Sequence, residues 1–364
     1  MIKSKATVRN LPVYQPGKPI EEVEREYGWK DAVKLVSNEN PYGCSFKVQE
    51  ALKNFQMFHQ YPEPMAPLLR EKLAKHFDVD PERFIFGNGS SEIIQMICRA
   101  FLEPSDESIL VDFTYSIYQS EIQIEGAIPV FVPLLNGSYD LDAMLDAITE
   151  KTKIIWICNP NNPTGALIDQ DTLTSFLQEI PDNILVVLDE AYMEYVMDEN
   201  APNSATLVTL FPQLMVLRTF SKIYGLAAMR VGYAMADRGI IAELHRVRPS
   251  FNTSRYAQVA AIAALEDQEF VAYWRKINDQ ERIRIGSQLE SWGISYYPSQ
   301  GNFILFDSGA PSQEVFQFML ERGVIVRDRL RYPTYIRVTI GTPKQNDRFL
   351  EVFAEFLACR LEDI

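Results

Sequence analysis

Runs that are apolar at every position, not at alternate ones, punctuate the chain between residue 34 and about residue 238 and are separated by amphipathic stretches. The clearest are 108–111, 153–158 (KIIWIC), 184–188 (ILVVL), 214–217 and 231–236. A strand that is apolar on both sides needs cover on both faces. The pattern therefore predicts an α/β fold, a three-layer αβα unit around a mainly parallel sheet. The run KIIWIC stops at NPNNPTG, whose prolines and glycine forbid further strand and predict a loop.

Residues 255–289 are helical in period and free of proline, which predicts one long helix linking two units. Beyond it, 301–306, a helix over 312–322, a strand pair at 324–326 and 335–340, and a helix over 346–361 predict a smaller α+β unit. The first thirty residues carry Pro12, Pro16, Gly17 and Pro19 and suggest an extended arm packing on that unit or on a partner. The expected division is an arm at 1–32, a large cofactor-binding domain at 33–245, and an interdomain helix with a small domain at 246–364.

Composition narrows the function classes. A net charge of −14 argues against nucleic acid or an anionic membrane as the main partner, so any anionic ligand must meet a local positive cluster. The four cysteines and three histidines have no disulfide or zinc spacing, so no metal is expected. The N-terminus lacks the apolar run of a signal peptide, which makes a cytoplasmic location the expectation.

Four motifs follow predicted strands, where open α/β sheets place their ligand crevice. In GNGSSEII (87–94), backbone N–H groups around Gly89 and the hydroxyls of Ser90 and Ser91 can face an anion at a helix N-terminus; a plain N-cap is the rival reading. In NPNNPTG (159–165), Asn162 can donate to a phenolate-like oxygen. In DEAY (189–192), a carboxylate ending a buried strand calls for a cation, such as a protonated ring nitrogen, and Tyr192 reaches the same ring; helix capping by Asp189 is the alternative. In TFSKIYGLAAMR (219–230), Lys222 sits among apolar and small residues eight positions before Arg230. A desolvated lysine near other cations loses its proton readily and becomes a nucleophilic amine, although most lysines are solvated surface charges.

These motifs, in this order and spacing, resemble the pyridoxal-phosphate aminotransferases of the aspartate-aminotransferase type over nearly the whole chain. VYQPGKP (13–19), KLVSNENPYG (34–43), TYSIYQ (114–119), IEGAIPVFVPL (124–134) and IRVTIGT (336–342) are similar to the class-II branch whose amino donor is histidinol phosphate. The resemblance implies the type I fold of pyridoxal-phosphate-dependent transferases, with pyridoxal 5'-phosphate as cofactor. It implies amino transfer between L-histidinol phosphate and 2-oxoglutarate in histidine biosynthesis, by a homodimer with shared sites.

Residue by residue, the resemblance implies that Lys222 binds the cofactor covalently and then moves the substrate proton, that Asp189 pairs with the ring nitrogen, and that Asn162 and Tyr192 hydrogen-bond the ring hydroxyl. Tyr115 would stack on the ring, while Gly89, Ser90, Ser91, Thr219, Ser221 and Arg230 would hold the phosphate. For substrate it implies Tyr14, Asn302, Arg327 and Arg337, with Tyr61 reaching cofactor and substrate in the neighbouring subunit. Arg327 also reads as an exposed strand-end charge.

The chain departs from the family pattern in three places. Ser91 stands where an aspartate is usual, Gly301 stands before Asn302 in place of a threonine, and the segment 328–336 is short and adds Arg329 and Arg331. Two neighbouring activities share the motifs: aromatic amino acid transamination and a lyase that decarboxylates threonine phosphate. A transcription regulator built on the same fold would need a helix-turn-helix that thirty N-terminal residues cannot supply.

Overall fold

In the computed structural model, residues 2–9, 11–13, 17–328 and 331–362 are described. The strands in chain order are β1 (Val33–Lys34), β2 (Phe84–Gly87), β3 (Glu107–Val111), β4 (Ile128–Val132), β5 (Thr152–Cys158), β6 (Leu185–Asp189), β7 (Leu214–Thr219), β8 (Gly232–Met235), β9 (Phe303–Asp307), β10 (Val324–Ile325) and β11 (Tyr335–Thr339). Seven of them form one sheet in the order β2-β8-β7-β6-β5-β3-β4. β8 pairs antiparallel with both neighbours and every other pairing is parallel.

Alternation along the central strands shows why they read as continuously apolar. Ile155, Ile157, Val186, Leu188, Leu214 and Val216 enter one core. Their neighbours Ile154, Trp156, Leu185, Val187, Met215 and Leu217 enter a second core on the opposite face. The first is covered by the helices Pro67–Phe77, Gln170–Glu179 and Arg255–Leu265, the second by Ser90–Phe101, Ile117–Ile124 and Arg238–Val247. Each layer removes one strand face from water, the largest favourable contribution to such a fold.

A third core gathers Ile304, Phe306, Val315, Met319, Ile336, Val338 and Phe353 beneath the antiparallel pair β9–β11. The helices Ser312–Glu321 and Pro343–Glu362 pack on it, as do Ile285 and Leu289.

Three expectations need correction. The proline-free segment 255–289 is two helices, Arg255–Leu265 and Gln268–Ser291, because Asp267 leaves helical geometry and its side chain accepts from Phe270 N. The strands near 324 and 335 are not a pair: β10 lies parallel to β1 and β11 antiparallel to β9, with only a single bridge between Arg327 and Arg337. The N-terminal segment is not wholly extended. Ile20–Tyr27 is helical and buries Val23 against Ala32, Val36, Leu320 and Ile325, while Thr7 Oγ1 donates to Ile124 O at 3.0 Å. β1 lies within the stretch expected to open the large domain, and it pairs with β10 in a two-stranded sheet separate from the seven-stranded one.

Beneath the sheet ends, Arg218 of β7 is buried between two acids, with 2.6 Å to Glu190 and 3.1 Å to Glu194. Ser204 Oγ donates to Glu190 at 2.8 Å. Removing the cation strands two buried carboxylates. Arg218→Leu is expected to lower unfolding stability by about 3–5 kcal/mol in denaturant melts; a change under about 1 kcal/mol would show that the triad is not a structural anchor.

Candidate active site

The carboxyl ends of β5, β6 and β7 lie side by side because the three strands are parallel and in register, Cys158 opposite Asp189 and Asp189 opposite Leu217. The loops leaving them therefore converge on one cavity of about 440 Å3. Its wall includes Ser90, Ser91, Tyr115, Asn162, Asp189, Tyr192, Thr219, Ser221, Lys222, Arg230, Arg327 and Arg337, all named from the sequence.

The loop 159–165 is held by its own asparagines. Asn159 bonds both ways to the Ile168 backbone, at 3.0 and 2.7 Å, and Asn161 donates to Phe113 O and Thr164 Oγ1. Asn162 is thereby left at the cavity, where its Oδ1 accepts from Arg337 Nη1 at 2.6 Å, so its Nδ2 is the end available as a donor. Arg337 is fixed in turn by Val36 O at 2.7 Å.

Asp189 is buried. Tyr118 donates to its Oδ2 at 2.7 Å and Ala191 N to its Oδ1 at 3.1 Å. Burial pushes this carboxyl up from its ordinary range, and the two hydrogen bonds together with the charge of Lys222 oppose that rise. Tyr192 is also buried; its oxygen accepts from Asn38 Nδ2 at 3.1 Å, which leaves the phenolic proton to donate elsewhere.

Lys222 lies in a tight turn closed by Gly225 N to Lys222 O at 2.9 Å and Leu226 N to Phe220 O at 3.0 Å. Phe220 and Ile223 anchor the turn in the core. Gly225 has φ +69°, and a Cβ there would meet Gly43 O at 1.9 Å, so the loop 38–43 clamps the lysine turn only because this residue is glycine. The Lys222 Nζ donates to Ser37 O at 3.2 Å and stands 5.4 Å from the Tyr192 ring centre. Burial first, then the charges of Arg337 and Arg230, bring its pKa down from 10.5 to about 8, against the pull of Glu39 and Asp189. A lowered lysine burdens the fold below about pH 8, and the burden is relieved as pH climbs from there toward the 10.5 of an ordinary lysine.

An anion pocket adjoins it. The helix Ser90–Phe101 begins at Gly89, in a left-handed conformation with no side-chain cap, so neither Ser90 nor Ser91 serves as the plain N-cap. Arg230 donates to Ala227 O at 3.1 Å, Asn88 O at 3.4 Å and Ser221 Oγ at 3.5 Å. Those acceptors are neutral, so its charge is not spent on them. With φ 80° and ψ 164°, Gly89 holds a backbone conformation open essentially to glycine alone, which explains the residue.

Two named residues lie elsewhere. Asn302 is wholly buried behind the cavity and donates to Asn38 O at 3.1 Å and Tyr195 Oη at 3.4 Å, which makes it a support for Asn38. Tyr61 is 76% exposed, stacked on Phe251 at 4.6 Å in a separate aromatic depression with Phe58 and Arg255. Tyr14 lies outside the described residues, as does the additional Arg329.

Sequence reasoning passed over Asn38 and Tyr118. Asn38 lies inside the quoted KLVSNENPYG, and Tyr118 is one helical turn beyond Tyr115, so i, i+3 spacing was the available signal. Arg331 lines the cavity and pairs with Asp112 at 3.0 Å.

The donor set fits pyridoxal 5'-phosphate on structural grounds. A buried carboxylate, an amine with a depressed pKa and an arginine beside an uncapped helix start occupy one cavity and match a protonated ring nitrogen, an aldehyde and a phosphate. Among the described residues there is no group of three or more His, Cys, Asp or Glu placed to hold a metal, and no helix long and apolar enough to cross a membrane.

This geometry is that of a fold-type I aminotransferase, and the family model for class I and II aminotransferases matches residues 30–353. The chain belongs to that family. It is 49% identical, over 97% of its length and 98% of the relative's, to the histidinol-phosphate aminotransferase of Geobacillus sp. (strain WCH70). The enzyme of that name from Bacillus subtilis (strain 168) is 48% identical over 98% of this chain and 100% of its own. The crystal structure of the Sinorhizobium meliloti histidinol-phosphate aminotransferase in complex with pyridoxal-5'-phosphate superposes with a TM-score of 0.88, at 26% identity, over 98% of this chain and 99% of that one.

In cofactor-free protein, modification of Lys222 by trinitrobenzenesulfonate is expected to rise with pH about a midpoint near 8. Arg337→Met should move that midpoint upward, because a depressing charge is lost. A midpoint near 10.5 in the unaltered protein would contradict the desolvated amine.

Proposed function

We propose that this chain transfers an amino group between L-histidinol phosphate and 2-oxoglutarate in histidine biosynthesis, with pyridoxal 5'-phosphate as cofactor. The observation that carries the reading is the single cavity in which the Lys222 amine, with its pKa near 8, faces a buried Asp189 and the Arg230 anion pocket. The high identity to full-length enzymes of that name supports the substrate.

Lys222 would hold the cofactor covalently, Asp189 its ring nitrogen, and Asn162 and Tyr192 its ring hydroxyl, with Tyr115 against the ring. Gly89, Ser90, Ser91, Thr219, Ser221 and Arg230 would hold its phosphate. When bound, the cofactor supplies an electron sink for the charge left when the substrate carbon loses its proton.

The chain's own work is then positional and acid–base. Lys222 Nζ, unprotonated near neutral pH in a growing fraction as pH approaches 8, would take the proton from the substrate carbon and return it two atoms away, across the transferred nitrogen. Arg337 and Arg327 lie on adjoining backbone, bridged by Arg327 N to Arg337 O at 3.0 Å, and present planar donors to a carboxylate or a phosphate. Lys222, Arg230, Arg327, Arg331 and Arg337 concentrate positive charge in one cavity of a chain whose net charge is −14. An anionic substrate is drawn there.

The working unit in this reading is a homodimer in the cytoplasm. Phe58 (73% exposed), Tyr61 and Phe251 line an exposed apolar depression of the kind that associating surfaces bury, and Tyr61 would reach the partner's cofactor and substrate from it.

Three measurements test the reading. Histidinol phosphate should exceed phenylalanine and tyrosine as amino donor by at least about tenfold in kcat/KM, a difference of about 1.4 kcal/mol in transition-state binding. Equal rates would favour an aromatic aminotransferase, and carbon dioxide release without a keto acid a lyase. Lys222→Ala should lose turnover and the cofactor adduct fixed by borohydride, and continued transamination would refute the assignment. Tyr61→Phe subunits mixed with Lys222→Ala subunits should recover activity above either parent, whereas no recovery would argue that each site lies within one chain.

A further inference from the structure

Tyr118 is given no contact with cofactor or substrate above, yet it is among the largest fully buried side chains. Its ring stacks on Trp156 at 4.9 Å with planes 18° apart, and Tyr115 meets it edge-on at 5.6 Å. Trp156 is itself tethered, with Nε1 donating to Ser108 Oγ at 2.9 Å. A ring clamped on both sides has little room to swing, so its hydroxyl is held 2.7 Å from Asp189 Oδ2.

We propose that Tyr118 is a positioning residue for transamination: its hydroxyl occupies Oδ2 of Asp189 and orients the carboxylate so that its open lone pairs meet the cofactor's ring nitrogen. An ionised carboxylate accepts up to about four hydrogen bonds. The Tyr118 hydroxyl and Ala191 N–H use two, which leaves capacity for a charged donor. This rests on the reading that Asp189 is the ring nitrogen's partner.

The choice of a phenol has a physical reason. An arginine or lysine in its place would neutralise Asp189 and weaken its hold on a protonated nitrogen. A phenol donates without cancelling the charge. The titratable groups that face the carboxylate are Tyr118 from the helix Ile117–Ile124, Cys158 at the end of β5, Tyr139 behind it, and Lys222 after β7. Burial pushes Tyr118, Cys158 and Tyr139 upward, so all three stay neutral and Tyr118 keeps the proton it donates.

The test compares four variants of the full-length protein: Tyr118→Phe, Ser108→Ala, Asp189→Ala and the Tyr118→Phe/Asp189→Ala double variant. For each, the dissociation constant of pyridoxal 5'-phosphate and the pH dependence of the bound cofactor's visible absorbance are measured, with kcat and KM alongside. Tyr118→Phe keeps the ring and its stacking, and is expected to weaken cofactor binding by about tenfold or more, as loss of a hydrogen bond to a charged group does. It should also displace the absorbance titration and lower kcat more than it raises KM.

Ser108→Ala loosens Trp156 by a hydrogen bond of similar kind without touching the carboxylate, so its absorbance titration should match the unaltered protein. In the Asp189→Ala background, adding Tyr118→Phe should change little, because the hydroxyl has lost its partner. An unaltered titration and affinity in Tyr118→Phe, with both changed in Asp189→Ala, would overturn the proposal alone. Both unaltered in Asp189→Ala as well would overturn the underlying role of Asp189. Equal displacement by Ser108→Ala and Tyr118→Phe, or full additivity in the double variant, would reduce Tyr118 to a packing residue and so overturn the proposal.

Discussion

A carboxylate taken out of water must be met by donors, and Asp189 is met by a phenol, a backbone N–H and, across the cavity, the amine of Lys222. The surrounding architecture follows from that demand. Asp189 ends β6, and the parallel neighbours β5 and β7 stop at the same level, so the three loops that follow share one space. Had β7 run the other way, Lys222 would emerge at the opposite edge of the sheet. The reversed strand is instead β8, whose start at Gly232 follows Arg230 and returns the chain past the Gly89 turn.

Around the charged groups the chain uses neutral scaffolding. Asn159 and Asn161 satisfy loop backbone and free Asn162, Asn302 and Thr339 hold Asn38, and Asn38 holds Tyr192. Each amide both donates and accepts, so a buried loop can be pinned without placing extra charge near the reacting groups. Most of the remaining formal charges around the site line the cavity, where Arg331 is paired with Asp112, and at Arg218 the ion triad fastens the far side of the same strand ends.

The sequence disclosed the sheet and most of the cavity because both rest on local signals: uninterrupted apolar runs, then small or polar residues where a strand must stop. It disclosed less wherever a partner distant in the chain decides the outcome. β4, with proline and exposed positions, carries too weak a pattern and forms because the neighbouring strand accepts it. The break at Asp267 depends on one capping side chain with no proline to announce it. Asn302 stands beside the right motif, but its amide turns to Asn38 and away from the cavity, a rotamer decision that no spacing encodes. Tyr118 reads as one more aromatic on a helix until Asp189, seventy-one positions away, is placed beside it.

The segment that leaves β1 serves two masters. Residues 33–35 are stitched to the stretch around β10 through Val33 N to Gly323 O at 2.7 Å and Leu35 N to Ile325 O at 2.8 Å. The next three residues carry the oxygens that receive Arg337 and Lys222 and the amide that steadies Tyr192. Any tilt of the smaller unit is thus transmitted, like the throw of a lever, to the amine and the phenol, and the occupant of the cavity can in turn set how tightly the two units close.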